Sequence, residues 1–228
     1  AAGSAAAERT LPLSVDWAAL LPAAAVQRGS VLACAGDAAA AMALSLVAGP
    51  SQHGAWTVVA GMPGLGLAAA AEAGVVLERL VAVTEPAGPE GARPFTDTQW
   101  ADLLAACIDG FDVVVLGPAA QAVRPGTARR LVARLQSRGA VAVTIGAPVF
   151  GGDLRFECVR SAWAGLGDGH GVAQERVVRV ELSGRRVPRV RRADLWLPAA
   201  DGRVRALEPA AAADTGTVVD LAALRRTG

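Results

Sequence analysis

The residues with the spacing of a catalytic motif lie between Val31 and Gly49, where an apolar run leads into a glycine, a short stretch of small residues and a helical pattern. This order matches the phosphate-binding loop G-x-x-x-x-G-K-[ST], in which backbone N–H groups cradle phosphates and the lysine reaches the outer ones. In that register Gly36 is the first glycine. The second glycine, the lysine and the hydroxyl residue are replaced, in order, by Ala41, Met42 and Ala43. The motif keeps its layout without the side chains that bind a nucleotide.

The other parts of a nucleotide-hydrolysing site are also replaced. A Mg²⁺-binding carboxylate should end a later buried strand, but the run FDVVVLG ends at Leu116 and Gly117, with Asp112 at its opposite end. A catalytic glutamate should follow the second strand, where the chain has GMPG, with Met62 after the glycine. All 22 basic residues are arginine, which excludes chemistry that needs a lysine. The sequence therefore predicts a protein with no catalytic residue, no cofactor and no metal site.

The emptied loop has a structural interpretation. Small residues from Ala38 to Ala41 would let it close with no phosphate inside, and Met42 would fill part of the void as a flexible apolar plug. The two histidines, His53 and His170, have no G-x-S-x-G elbow to support a triad. Each is interpreted as a loop histidine that bonds backbone groups.

Composition favours one sizeable core in a chain of 228 residues with 53% apolar content and a net charge of +1. The three cysteines, Cys34, Cys107 and Cys158, lie far apart in apolar runs, which predicts reduced core residues in a cytoplasmic protein. The segment from Val31 to Gly49 approaches the length of a membrane span, but Asp37 and the many alanines argue against one. No membrane partner is expected.

Alternating apolar and helical patterns predict an α/β fold. Five apolar runs predict strands, at Val31–Ala35, Thr57–Ala60, Leu80–Thr84, Asp112–Leu116 and Ala140–Ile145. The segments between them predict helices at Ala38–Val47, Leu65–Ala73, Thr98–Asp109 and Thr127–Arg138. Thr96 and Gln99 have the spacing of a capping box for the third helix, and Gly139 would end the fourth. Runs buried on both faces indicate a mostly parallel central sheet flanked by helices.

The pattern changes after Phe150. Three longer runs with alternating polar and apolar residues predict antiparallel strands that extend the sheet: LRFECVRSAW, RVVRVELSG and RVRRADLWLP. The sequence predicts one domain over residues 1–198, with a short leader at 1–10. Residues 199–228 are expected to form a flexible tail. A short helix in that tail would present Val218, Leu221 and Leu224 to a partner.

Arginines are concentrated in the last antiparallel runs. Five of them form a candidate contact surface for nucleic acid or a partner: Arg185, Arg186, Arg189, Arg191 and Arg192. Arginines on a solvated face that guard a sheet edge would give the same pattern. The sequence leaves both interpretations open.

The order of these features resembles the ImuA family, in particular its actinobacterial, mycobacterial-type ImuA-prime branch, which has a RecA-like core. LPLSVDWAALLPAAAVQRGSVLACAG resembles the start of such a core, and FDVVVLGPAA is similar to its Walker B strand, with Gly117 in the place of the aspartate. LRFECVRSAWAGLG resembles the strand that follows the core, and GHG with LWLP resembles the family's ending. The resemblance runs from Leu11 to Pro198.

The resemblance implies a non-enzymatic role in DNA repair. ImuA-type proteins act with ImuB, a catalytically inactive Y-family polymerase homologue, and through it with an error-prone C-family polymerase and the sliding clamp. Together they support translesion synthesis and mutagenesis in the SOS response to DNA damage. The implied location is the cytoplasm, with nucleoid association after damage and a weak contact with DNA or RecA.

Three alternatives stay open at this point. The first is a SulA-like SOS inhibitor of cell division, which would bind a tubulin-like GTPase. The second is a DNA-binding, RecA-like regulator of recombination, whose arginine-rich strands would contact the DNA. The third is an ATPase with a displaced site, which would bind ATP despite the altered loop.

Overall fold

The computed structural model describes residues 9–88, 91–146, 149–166 and 171–207. These residues form a mixed α/β fold around a large, mostly parallel central sheet. His170 and the tail residues Val218, Leu221 and Leu224 lie outside the described residues. Among the described residues, no helix is long and apolar enough to cross a bilayer.

Thirteen strands are described in chain order. They are β1 (Thr10–Pro12), β2 (Ala25–Gln27), β3 (Val31–Ala35), β4 (Thr57–Ala60), β5 (Leu80–Val83), β6 (Ala87–Gly88), β7 (Gly91–Ala92), β8 (Val113–Leu116), β9 (Val141–Ile145), β10 (Leu154–Leu166), β11 (Gly171–Ser183), β12 (Arg191–Trp196) and β13 (Arg205–Ala206). Nine of them form the central sheet, in the order β13-β12-β11-β10-β3-β9-β8-β4-β5. The six strands from β10 to β5 are parallel, and β11, β12 and β13 add to β10 as antiparallel strands. The predicted strands after Phe150 are thus confirmed, and β10 joins them to the parallel core.

Four α-helices are described: α1 (Ala39–Gln52), α2 (Leu67–Glu72), α3 (Asp97–Gly110) and α4 (Pro125–Arg138). They cover both faces of the sheet. Since alternate residues of a strand point to opposite faces, one strand contributes side chains to the core on each side. Val113 and Val115 share a buried cluster with α1, whereas Val114 and Leu116 share another with α3 and α4. The predicted parallel sheet flanked by helices is confirmed.

The sequence signals predicted for the start of α3 and the end of α4 are confirmed. The Thr96 side chain accepts a hydrogen bond from the Gln99 backbone N–H at 3.3 Å, and the side-chain Oε1 of Gln99 accepts one from the Thr96 backbone N–H at 2.9 Å. This is the predicted capping box at the start of α3. Gly139 ends α4 with φ of +72°, a conformation that favours glycine.

Helix α1 runs further than the sequence predicts. The predicted end at Val47 is wrong, because the helix continues through Gly49 and Pro50 to Gln52. A Cβ on Gly49 would lie 2.6 Å from the Leu13 carbonyl carbon, so the glycine lets the N-terminal segment pack directly on the helix. This burial outweighs the hydrogen bond that Pro50 cannot donate. His53 follows the helix and bonds the Gly49 carbonyl through Nδ1 at 2.8 Å, which confirms its predicted backbone role.

The N-terminal segment contributes more to the core than its sequence predicts. β1 and β2 pair as a separate ribbon, and the turn between them contains the short 3₁₀ helix Val15–Ala19. Trp17 from this helix is fully buried and meets Phe156 of β10 edge to face at 5.4 Å. The segment therefore covers the antiparallel extension of the sheet.

The packed structure also continues past Pro198, where the sequence predicts the domain to end. Val204 is 3% exposed in the core, and β13 pairs with β12. The Ala206 N–H donates to Asp16 in the N-terminal segment at 3.0 Å. Both ends of the described chain thus meet at one side of the sheet.

Candidate functional site

The carboxyl ends of the parallel strands form the candidate site, since ligands of α/β sheets bind in the crevice beyond these ends. The residues that replace the nucleotide-binding groups follow three of these strands. Gly36 follows β3, Gly61 and Met62 follow β4, and Gly117 follows β8. The topology therefore brings the predicted motif positions to one edge of the sheet.

The turn after β3 is too short to cradle phosphates. Helix α1 begins at Ala39, which leaves residues 36–38 between strand and helix. Ala41, Met42 and Ala43 are therefore helical residues. Met42, which the sequence predicts to fill an emptied loop, is fully buried and packs in the hydrophobic core. The small side chains from Ala38 onward start the helix early and leave no wide loop.

Strand β10 occupies the space above this turn. A Cβ on Gly36 would lie 2.4 Å from the Cys158 carbonyl oxygen, so the two backbones are in direct contact. Gly36 has φ of +87°, which lets the chain turn sharply at this contact. Strand β10 therefore leaves no open space directly above the turn where the sequence motif predicts a phosphate.

Asp37 supplies the negative charge at this helix start. Its carboxylate accepts hydrogen bonds from the Ser161 hydroxyl and, at 3.0 Å, from the Cys158 thiol. These hydrogen bonds, first that of Ser161 and then that of Cys158, hold the pKa of the Asp37 carboxyl below its usual value. A carboxylate near a helix N-terminus is also favoured by the helix dipole. A carboxylate therefore lies at the turn where the sequence motif predicts a phosphate.

Two further side chains complete this cluster. The guanidinium of Arg176, which is 8% exposed, lies 4.9 Å from the centre of the Trp163 ring. Its Nε donates to the Leu197 carbonyl at 2.8 Å, and its positive charge also lowers the pKa of the Asp37 carboxyl. Arg176 therefore belongs to the packed site and is not part of a free basic surface.

Gly117, which the resemblance places at the Walker B aspartate, lies in close backbone contact with Gly61. A Cβ on Gly117 would lie 2.3 Å from the Gly61 carbonyl oxygen, and the Gly117 N–H donates to the Ala60 carbonyl at 2.8 Å. An aspartate at this position has no room for its first side-chain atom. The absence of side chains at Gly61 and Gly117 is what lets these two strand ends meet.

Gln121 joins the remaining strand ends. Its Nε2 donates to the Leu116 carbonyl at the end of β8, at 3.2 Å, and to the Ile145 carbonyl at the end of β9, at 2.8 Å. Since this side chain is 9% exposed, it packs between the two strands. The carboxyl edge is thus occupied by the protein's own groups from β3 to β4.

The hairpin between β11 and β12 carries three of the five candidate arginines, and two of them, Arg185 and Arg186, bond to other elements. Arg185 pairs with Asp153 at 3.0 Å, and that buried carboxylate also accepts the Val31 N–H at 3.0 Å. Arg186 donates to the side chain of Gln27 in β2. Both arginines therefore attach the hairpin to the core.

Strand β12 carries two more. Arg191 donates to the Leu20 carbonyl at 3.0 Å, and Arg192 pairs with Glu181 at 2.6 Å across the neighbouring strand. Arg189 alone of the five makes no hydrogen bond or ion pair with the residues that the structure describes. These contacts favour a structural role for four of the five arginines.

Metal-binding side chains are not clustered in the described ranges. No group of three or more His, Cys, Asp or Glu side chains there is placed to hold a metal ion. Cys34, Cys107 and Cys158 are free and buried, as predicted. Burial raises the pKa of the Cys34 thiol to about 12, so this thiol stays protonated at neutral pH.

Sequence reasoning missed the partners of Asp37. Asp37 is the only charged residue at the β3–α1 junction, and this was the available signal. Its partner Ser161 lies 124 residues away along the chain, so only the three-dimensional fold reveals the pair.

Two comparisons with known proteins bear on this fold. A family model described as the MT3502 N-terminal domain matches residues 19–150, which is more than half of the chain. Rv3395c of Mycobacterium tuberculosis, whose name calls it an uncharacterized protein, is 36% identical over 101 residues. That match covers 44% of this chain and 45% of Rv3395c, so less than half of the relative's length is spanned. On the family match, the chain belongs to the MT3502 N-terminal domain family.

Proposed function

We propose that this chain is a non-catalytic accessory protein with a RecA-like core, which acts as an adaptor for an ImuB-type polymerase homologue in SOS-induced translesion synthesis. The observation that carries the proposal is the closed carboxyl edge of the sheet. The strand, turn and helix of a phosphate-binding motif follow one another there, but the turn is short and β10, with the Asp37–Cys158 hydrogen bond, lies against it. The ImuA-like order of sequence features supports the identity of the partner.

The closed edge supports a role without ATP binding or hydrolysis. A nucleotide would have to displace the Asp37 carboxylate from the Ser161 hydroxyl and move β10 away from Gly36. It would then meet no lysine, because the chain contains none. The core is proposed to serve as a rigid platform, with its function on outer surfaces.

Edge strand β5 is the surface that we propose for the partner. β5 is the last strand in the sheet order and, among the described residues, pairs only with β4, so no described strand lies beside its outer backbone groups. Its residues LVAV carry no charge and no proline, the two devices that usually protect such edges. Val81 on β5 is 38% exposed and Trp56, next to β4, is 45% exposed. An extended segment of the partner would add to this edge as a further strand.

Co-purification with the ImuB-type protein tests the proposal. The expected result is capture of the partner by the wild-type chain and loss of capture by Val81→Lys, because an edge lysine opposes strand addition. Val190→Lys is the matched control, since Val190 is a similarly exposed valine in the β11–β12 hairpin, away from β5. That variant should capture the partner like the wild type.

Three outcomes would contradict parts of the proposal. Failure of the wild-type chain to capture the ImuB-type protein would remove the adaptor role. Capture of a tubulin-like division GTPase in its place would favour the SulA-like alternative. Equal loss with both lysine variants would contradict β5 as the binding surface.

A further inference from the structure

Helix α4 presents an arginine-rich face to solvent. The helix contains Arg129, Arg130, Arg134 and Arg138 and no acidic residue, and Arg124 directly precedes it. Its opposite face packs in the core through Ala128, Leu131 and Leu135. The chain as a whole has a net charge of only +1, so this helix concentrates positive charge locally.

Three of these arginines have donors available for a ligand. The side chains of Arg124 and Arg129 make no hydrogen bond or ion pair with the described part of the chain. Arg130 makes one long contact, from Nη2 to the Thr127 hydroxyl at 3.4 Å. A guanidinium carries five N–H donors, so most of the donors of all three are unused.

The other two arginines share one carboxylate. Arg134 and Arg138 both donate to Asp109 at the end of α3, through their Nε atoms at 2.8 Å and 2.9 Å. Hydrogen bonds from Arg134 and then Arg138 hold the pKa of the Asp109 carboxyl far below its usual range. All three groups lie at the solvent-exposed surface, where ion pairs contribute little free energy. A phosphate could replace Asp109 at modest cost.

The spacing and composition of this face fit a phosphate backbone. Arg130, Arg134 and Arg138 follow one another at four-residue intervals, so they form a row about 12 Å long on one side of the helix. None of the large, exposed apolar side chains of the described residues lies on α4. A protein partner usually needs such an apolar anchor, and a single strand needs an aromatic ring for base stacking.

We propose that the exposed face of α4 binds the phosphate backbone of duplex DNA, without reading its sequence. Arginine is suited to this contact, because its planar guanidinium donates two parallel hydrogen bonds to a phosphate. The site differs from the arginines of β12 and its hairpin, most of which bind protein groups. It goes beyond the adaptor role and does not require it, since it uses neither β5 nor a protein partner.

Fluorescence anisotropy with a labelled duplex of mixed sequence tests the site on the full chain. The double variant Arg129→Gln/Arg130→Gln should bind about tenfold more weakly than the wild type at low salt. The slope of log affinity against log salt should become shallower by about 2, since each lost phosphate contact removes about 0.9. Far-ultraviolet circular dichroism and urea unfolding confirm that the variant is folded.

The matched control is Arg160→Gln/Arg189→Gln. Both side chains are exposed and make no hydrogen bond or ion pair with the described residues, but they lie on the antiparallel extension. This variant should lose little affinity. Equal losses in the two double variants, or no duplex binding by the wild type, would overturn the proposal. Equally tight binding of a poly-glutamate peptide would indicate an acidic protein partner instead and would also overturn it.

Asp109→Asn gives a prediction of opposite sign. Removing this carboxylate frees Arg134 and Arg138, so duplex affinity should increase severalfold. Unchanged or weaker affinity would exclude these two arginines from the binding face. Because the adaptor role is tested by protein capture through β5, either proposal can fail while the other holds.

Discussion

Gly117 shows how single residues close the site. A Cβ at position 117 would lie 2.3 Å from the Gly61 carbonyl oxygen, which is too close for any residue other than glycine. The space that an aspartate side chain would need at this position is occupied by the backbone of Gly61. Restoring the carboxylate would have to separate the ends of β4 and β8.

Gly117→Asp should destabilise the fold by about 2–3 kcal/mol, as overpacking of a tight contact does. Gly64→Asp is the matched control, since a Cβ at Gly64 meets nothing within 4 Å and the residue lies in the loop that follows β4. Urea unfolding followed by circular dichroism measures both. Equal stability of the two variants would contradict the tight Gly61–Gly117 contact.

Asp37 gives the fold a pH-dependent contribution. Its carboxyl pKa is lowered in the folded state, so its stabilisation is complete above the usual carboxyl pKa of about 4. That stabilisation is lost as the pH falls through the lower pKa of the folded state. Asp37 is exposed, which keeps the expected contribution to about 1 kcal/mol.

Asp37→Asn should therefore be less stable than the wild type at pH 7, and the difference should shrink on acidification. Ser161→Ala removes the partner hydroxyl, and the double variant should lose less than the sum of the two single changes. Urea midpoints at several pH values measure these differences. A difference that stays constant from neutral to acidic pH would contradict the role of the ionised carboxylate.

At the scale of elements, the junction of α3 and α4 depends on two residues. Thr96 caps α3 within the capping box, while Asp97 accepts hydrogen bonds from the Arg124 N–H at 2.7 Å and the Thr127 hydroxyl at 3.3 Å. The start of one helix thus holds the start of the next. This arrangement fixes the direction of α4 and of its arginine row.

Thr96→Ala should reduce the free energy of unfolding by about 1 kcal/mol, the usual cost of a lost N-cap. Thr98→Ala makes the same change two residues on, at an exposed helical position without a capping role, and should have little effect. Thermal unfolding compares the two variants. A larger loss in Thr98→Ala would show that the cap is unimportant.

The elements that the sequence predicts well are those with local causes. The strand runs of β3 and β4 and the capping box at Thr96 depend on neighbouring residues, and they are confirmed. The continuation of α1 through Pro50 depends on Leu13, which packs on Gly49 from a distant part of the chain. The Asp37 cluster likewise depends on β10. Such long-range contacts leave little trace in local sequence patterns.

At the scale of the whole molecule, the antiparallel extension is part of the core. The family match ends at residue 150, but β10 pairs directly with β3 and completes the buried cluster around α1. Five of its side chains are fully buried: Phe156, Val178, Val180, Leu182 and Leu195. Each such side chain contributes about 1.5–3 kcal/mol through burial, so their sum is comparable to the stability of a typical domain.

Truncation after Phe150 should therefore abolish cooperative unfolding, whereas truncation after Leu207 should retain it. The second fragment keeps β13 and its contact with Asp16, so it serves as the control. Urea unfolding monitored by tryptophan fluorescence distinguishes the two. A cooperative transition near the full-length midpoint in the shorter fragment would contradict this interdependence.

The central claim is that the protein's own groups close the carboxyl edge where the sequence motif predicts a nucleotide, and titration calorimetry with Mg²⁺ and ATP tests it most directly. The full chain should show no saturable heat up to about 1 mM nucleotide, which corresponds to a binding free energy weaker than about −4 kcal/mol. Saturable binding with a micromolar dissociation constant would contradict the closed edge.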